Sequence, residues 1–231
     1  MRESVHSRRC IVVASGPCAS AFGWTLLLAI FSLFGCAHTV PITETRRSAL
    51  RSVSVSQKVV LPDQMYYSGK EDVLALAAGV LGGGAVDEVT SDDLRVSAKE
   101  RLVTIMKEAD IDMAEIARQE FERALVGSRR FETVAPEGGD AHFELVVLMY
   151  GLAQAGALAS ELKPLLSVSG KLVKADGTVI WQDSAYVTNV RGQTSGKSMA
   201  DYLRDPEQLR RVLTQAAGLV AKELVARLSE P

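Results

Sequence analysis

Beyond position 36 this chain of 231 residues has no cysteine; Cys10, Cys18 and Cys36 are all it contains. Neither a disulfide framework nor a cysteine-ligated zinc site can therefore exist in the body of the protein. Histidine is almost as scarce, and His142, the only one beyond position 38, cannot by itself form a metal centre or a Ser-His-Asp triad. Charge of neither sign dominates: 26 Lys and Arg face 28 Asp and Glu, a formal net charge of −2. A dedicated nucleic-acid binder, which needs a concentrated basic footprint, is disfavoured. No apolar run reaches the ~20 residues of a spanning helix. What remains, 47% apolar and 23% charged residues, is the balance of a folded domain rather than of a disordered or collagenous chain.

The leader is where the sequence is most specific. Arg2, Arg8 and Arg9 precede the 14-residue stretch AFGWTLLLAIFSLF (Ala21 to Phe34), which is too short to span and has the layout of a secretory signal. The four residues Leu33, Phe34, Gly35 and Cys36 that close it resemble the bacterial lipobox, with an aliphatic residue at −3 and a small one at −1 before the cysteine. The resemblance implies that Cys36 receives a diacylglycerol thioether and becomes the acylated first residue of the mature chain. That fate also accounts for an unpaired cysteine in a secreted protein. It further implies that Ala37, uncharged where an aspartate would retain the protein at the inner membrane, lets it reach the periplasmic leaflet of the outer membrane. Two or three acyl chains anchor stably without a polybasic segment. The expected layout is a signal peptide over 1–35, a lipidated cysteine and tether over 36–51, and one domain over 52–231.

Within that domain the periodicity is legible. Val53 and Val55 alternate with serines, as a half-buried strand requires. Leu94 to Val126 reads as the main helical region, broken between Ala109 and Asp112, with Asp110 or Asp112 capping its second part and Gly127-Ser128 stopping it. Short strands follow near Phe131 to Val134 and along AHFELVVLMYGL (Ala141 to Leu152). The latter is apolar on both parities, which predicts a strand covered on both faces. Asp176-Gly177 signals a hairpin between Pro164–Lys174 and Thr178–Val190, and Asp205-Pro206 opens a last helix with Leu209, Val212, Leu213, Ala216, Leu219, Val220 and Leu224 on one stripe. The predicted fold class is α+β: a single domain whose mostly antiparallel sheet of about four to five strands carries packed helices.

Candidate chemistry is sparse. Arg191 to Ser198 (RGQTSGKS) has three residues between its glycines where a phosphate loop needs four, so no nucleotide is expected. The segment around Gly79, Leu81 and Gly83 is apolar and glycine-rich; it is either a membrane or partner contact or a buried helix end running into a loop. Asp140, Glu144 and Asp183 have no argument for convergence, and no G-x-S-x-G occurs. Trp181, Tyr186 and Tyr150 are candidates for a recognition face, against the ordinary reading of a strand Trp as core.

The helix ending Ser128-Arg129-Arg130-Phe131, the strand AHFELVVLMYGL, the hairpin LVKADGTVIWQD and the helix opened by Asp205-Pro206 together resemble small envelope lipoproteins whose domain is similar to the amino-terminal domain of the Tol translocation protein. Curli-secretion and penicillin-binding-protein-activator lipoproteins belong to that group. The resemblance implies binding or assembly, not catalysis, and brings no site residues with it. The leading expectation is an outer-membrane lipoprotein facing the periplasm that binds envelope proteins. It has no cofactor or metal, is not an enzyme, and meets the membrane only through Cys36. The alternative is a small-ligand carrier or hydrolytic enzyme with a cleft at the sheet. A cleft of converging polar groups favours the second, and an exposed apolar patch favours the first.

Overall fold

Six strands and five helices make up the part of the chain described by the computed structural model, residues 39–69, 89–156, 159–189 and 193–228. In chain order they are α1 (Glu44–Ser48), β1 (Ser52–Val55), β2 (Tyr66–Ser68), α2 (Val89–Glu108), α3 (Met113–Ser128), β3 (Thr133–Ala135), β4 (Ala141–Gln154), β5 (Leu162–Lys174), β6 (Val179–Val187), α4 (Met199–Arg204) and α5 (Pro206–Arg227). All of them lie in the compact unit Ala37–Pro231. The lipobox residues Leu33, Phe34, Gly35 and Cys36 and the glycine-rich Gly79, Leu81 and Gly83 lie outside the described residues.

The sheet corrects the expected fold class. Its strand order is β3-β1-β4-β5-β6 with β2 also on β4, and it is mixed rather than mostly antiparallel. β1 runs parallel to both β3 and β4, and β2 runs parallel to β4; only β4–β5 and β5–β6 are antiparallel. The reason lies in the connections. A tight turn such as Asp176-Gly177 forces an antiparallel pair, whereas the long passage through α2 and α3 lets the chain come back alongside β1 in the same direction. One edge of the long β4 is covered in succession by β1 at Ala141 to Phe143, by a bridge from Val60 to Val146, and by β2 at Gly151 to Ala153.

Local signals act as their chemistry dictates. The Asp112 carboxylate accepts from the Ala114 and Glu115 N–H groups and starts α3, while Asp110 just before it turns left-handed at φ 52° and separates α2 from α3. Helix α3 ends one step later than Gly127 suggested. Gly127 stays helical, and Arg129 takes the left-handed cap at φ 54°. Gly177 adopts φ 82° in the hairpin, and the Asp176 carboxylate accepts from the Thr178 N–H. Asp205 caps α5, with Pro206 in its first turn.

One face of the sheet carries the helices. Phe143, Leu145, Val147, Leu166, Val168 and Leu172 point into it, and Phe121, Ala217, Val220, Ala221 and Leu224 of α3 and α5 close over them. Phe143 is the hub, with ring centroids of Phe121, Trp181 and Phe131 at 5.1, 5.9 and 6.0 Å in edge-to-face geometry. Gly170 leaves room for Trp181, whose ring would lie 3.0 Å from a Cβ there.

Residues 40–50, read from the sequence as tether, dock on this domain. The Val40 main chain exchanges both hydrogen bonds with Gln182 on the outer edge of β6, and Ile42 and Leu50 are buried in the core. The Asp140 carboxylate accepts from the Arg51 and Ser52 N–H groups and pins the entry to β1.

Candidate partner-binding face

Among the described residues, no helix lies on the second face of the sheet along β4, β5 and β6. Ser167 of β5 stands between Met149 of β4 and Tyr186 of β6, in register with both, and Ser169 pairs with Ser184 one step along. A bulge decides the character of this face. Leu148 is the extra residue between Val147 and Met149 in the β4–β5 ladder, so two consecutive apolar side chains, 54% and 36% exposed, turn outward together. Beyond the bulge the phase is reversed, and Tyr150 and Leu152 point into the core. The double parity of this strand thus reports a phase shift around Leu148 and Met149, which are exposed against the expectation of cover on both faces, while Gly151 to Gln154 are buried on both parities.

Tyr66 completes the patch. Its main chain pairs with Gly151, where a Cβ would stand 1.8 Å from the Tyr66 carbonyl oxygen, so only glycine permits the approach of β2 to β4. Alternation then sends Tyr67 into the core and leaves Tyr66 44% exposed, with Val60 exposed nearby on the same edge of β4. Tyr66, Leu148, Met149 and Tyr186 form an apolar end to a face whose centre is lined by serine hydroxyls. Of the three aromatics singled out from sequence, only Tyr186 belongs to it; Trp181 and Tyr150 face the core.

The remaining candidates fall apart as sites. His142 and Glu144 are neighbours on the outer face of β4, 3.4 Å apart. Asp183 is held by Arg227 at 3.1 Å and Asp140 by the β1 main chain, so the three acids do not converge. The described part of the RGQTSGKS segment is structural. Lys197 bridges to Leu162, Ser198 forms a capping box with Asp201, and the Tyr202 hydroxyl donates to the Leu162 carbonyl while accepting from the Lys197 N–H. Burial pushes the Tyr202 hydroxyl up to about 12. Among the described residues no cluster of His, Cys, Asp and Glu could hold a metal ion, and no helix is long and apolar enough to cross a membrane.

A groove of about 440 Å³ opens on the helical layer, between α3 and α5, and another of about 360 Å³ opens at the sheet beside Ser54, Ser56, Gln57 and His142. Ala124, Val225 and Ala226 give the first an apolar lining, and Arg123, Arg130 and Lys222 make it basic. Its one acid, Glu120, is nearly buried opposite Gly218 and is engaged by the Arg123 guanidinium. Burial, with the Arg47 guanidinium close by, holds Arg130 below its ordinary pKa.

No family model matches the chain, and no curated protein matches it. Similar solved structures include a Xanthomonas campestris protein of the DUF330 family, with TM-score 0.40 and 14% identity over 76% of this chain and 81% of that one. A PelC dodecamer from Paraburkholderia phytofirmans aligns with TM-score 0.36 and 11% identity over 84% and 96% of the two chains. A minor lipoprotein from Acinetobacter baumannii aligns with TM-score 0.31 and 13% identity over 77% and 94%. Likenesses this remote carry no argument about the function of this chain.

Proposed function

We propose that this protein is a lipid-anchored component of the bacterial cell envelope, held in the outer membrane through Cys36, that binds a protein partner with the open face of its sheet and acts without catalysis. The anchor rests on the order of apolar run, Gly35 and Cys36 in the sequence. The observation that carries the binding reading is the bulge at Leu148. It presents Leu148 and Met149 beside Tyr66 and Tyr186 on a sheet face that carries no helix among the described residues, where a partner would bury apolar area left exposed to water. Aromatic and Met side chains such as these are enriched at the centres of protein interfaces.

Two measurements test the two halves separately. Labelling cells with a palmitate analogue should mark the native protein and not Cys36→Ser, and label on the variant removes the lipoprotein reading. A photo-crosslinking residue at Met149 should give a discrete protein adduct in intact cells that one at Arg211, on the exposed side of α5, does not. The adduct should vanish with Tyr66→Ser and Tyr186→Ser together. Equal adducts from both positions would remove the open face as the binding surface.

A further inference from the structure

We infer that the helical side of the domain lies against the anionic surface of the membrane that carries its anchor, with the groove between α3 and α5 and the adjoining α1 as the contact; the placement rests on the lipid-anchor reading. The first observation is length. Docking begins at Val40, which is hydrogen-bonded to β6, so only the steps from Cys36 to Val40 separate an acylated cysteine from the folded domain. Four residues of extended chain reach at most about 14 Å. A tether of the whole stretch 37–51 would let the domain tumble at a typical distance of ~20 Å with far longer excursions. The short link does not allow that freedom, so some surface of the domain must meet the headgroups.

Charge selects which surface. Arg46 and Arg47 on α1 follow the docking point within eight residues, and the chain leaving α1 is bonded beside the end of α3, where the Thr133 N–H donates to the Arg51 carbonyl and Ser52 pairs with Thr133. Arg129 is exposed at the end of α3, and Arg123, Arg130 and Lys222 rim the groove beyond it. These six cations, drawn from three parts of the chain, face few acids. Glu44 is taken up by Arg47 at 2.5 Å and Glu120 by Arg123, while Glu132 is the exposed acid that follows Phe131. Among the described residues, Arg46, Arg129 and Lys222 make no ion pair. The whole chain is formally negative, so a local surplus of cations beside the anchor is a segregation of charge. Lipid phosphates are the anions that the short link brings within reach, and each Lys or Arg held at an anionic surface contributes attraction that salt weakens. Because α3 and α5 cover the opposite face of the sheet from Leu148 and Met149, a domain seated this way keeps its open face free for a partner.

The test uses the chain from residue 36 onward carrying Cys36→Ser, within which residues 37–231 form one compact unit. No acyl chain then contributes, so the result is independent of whether Cys36 is lipidated in cells, which the palmitate label reads separately. The protein should sediment with phosphatidylcholine vesicles containing about one third phosphatidylglycerol at low salt, and much less in about 0.5 M salt or with pure phosphatidylcholine. Replacing Arg46, Arg129 and Lys222 together by Ser should weaken binding on the order of 100-fold while the thermal unfolding profile stays unchanged. Replacing Lys58, Lys163 and Lys171 by Ser, which leaves the six cations in place, should change binding little. Binding to pure phosphatidylcholine as strong as to the anionic vesicles would overturn the inference. So would unchanged binding of the Arg46, Arg129 and Lys222 variant, or capture by a soluble polyanion without any vesicle binding.

Discussion

The two faces of the sheet are built from the same strands and have opposite fates. On the helix-covered face, Phe143, Leu145, Val147 and Leu172 are at most 2% exposed and belong to one core with residues of α3 and α5. On the open face, Ser167, Ser169 and Ser184 alternate with them, and the apolar exceptions gather at one end where the β4 bulge and β2 meet. Apolar residues on the first face are explained by folding. Those on the second are not, because among the described residues nothing covers Leu148 or Tyr66, and an exposed apolar cluster is the mark of a surface with another use.

Substitutions can break this contrast, and the largest effect belongs to the covered face. Phe143→Ala removes the ring on which Phe121, Phe131 and Trp181 converge and should cost about 3–5 kcal/mol of stability, read from urea unfolding. Gly151→Ala should cost about 1–3 kcal/mol and release the Tyr66 segment first, because the new Cβ meets a main-chain oxygen that cannot move without opening the β2–β4 pair. Hydrogen exchange at Tyr67 and Ser68 would rise ahead of the rest of the sheet.

Tyr202→Phe sharpens the contrast through pH. The native hydroxyl is held up to about 12, above its unfolded value of 10.0, so its contribution is present below about pH 10 and is lost as the pH climbs toward 12. The variant should be less stable by about 1–2 kcal/mol near neutrality, since it loses the bonds to Leu162 and Lys197. It should then show a shallower decline between pH 10 and 12 than the native protein, and parallel declines would contradict that assignment.

The smallest effect on folding is expected on the open face. Leu148→Ser should shift stability by no more than about 0.5 kcal/mol while abolishing the adduct formed by a photo-crosslinking residue at position 149. A loss as large as that of Phe143→Ala would mean the patch is part of the core after all.

Local chemistry made much of this architecture readable in advance. The Asp112 and Asp205 caps, the Asp176-Gly177 turn and the 3-and-4 spacing from Leu209 to Leu224 act over a few residues, so a single chain segment contains all the information needed to recognise them. The double parity of AHFELVVLMYGL has two physical causes, cover on both faces or a change of phase, and because composition is the same for each the bulge at Leu148 is not legible in the sequence. The mixed sheet escaped for a similar reason. Alternating valines in β1 identify a strand but say nothing of its direction relative to a partner about 80 positions away.

The binding face and the basic side show the same division. Tyr66 lies 82 positions before Leu148, and Arg46 lies 83 before Arg129; neither pair has a shared motif because neither exists until the sheet forms. By itself the sequence determined the helix caps, the hairpin, the lack of any disulfide in the body of the chain and the lipobox pattern at Cys36, because each depends on neighbouring residues or on composition. Only the tertiary structure decided that Val40 docks on β6, that a bulge turns Leu148 and Met149 outward, and that arginines from α1 and the end of α3 share one surface. Those outcomes depend on which segments pack together, and packing is a property of the whole chain.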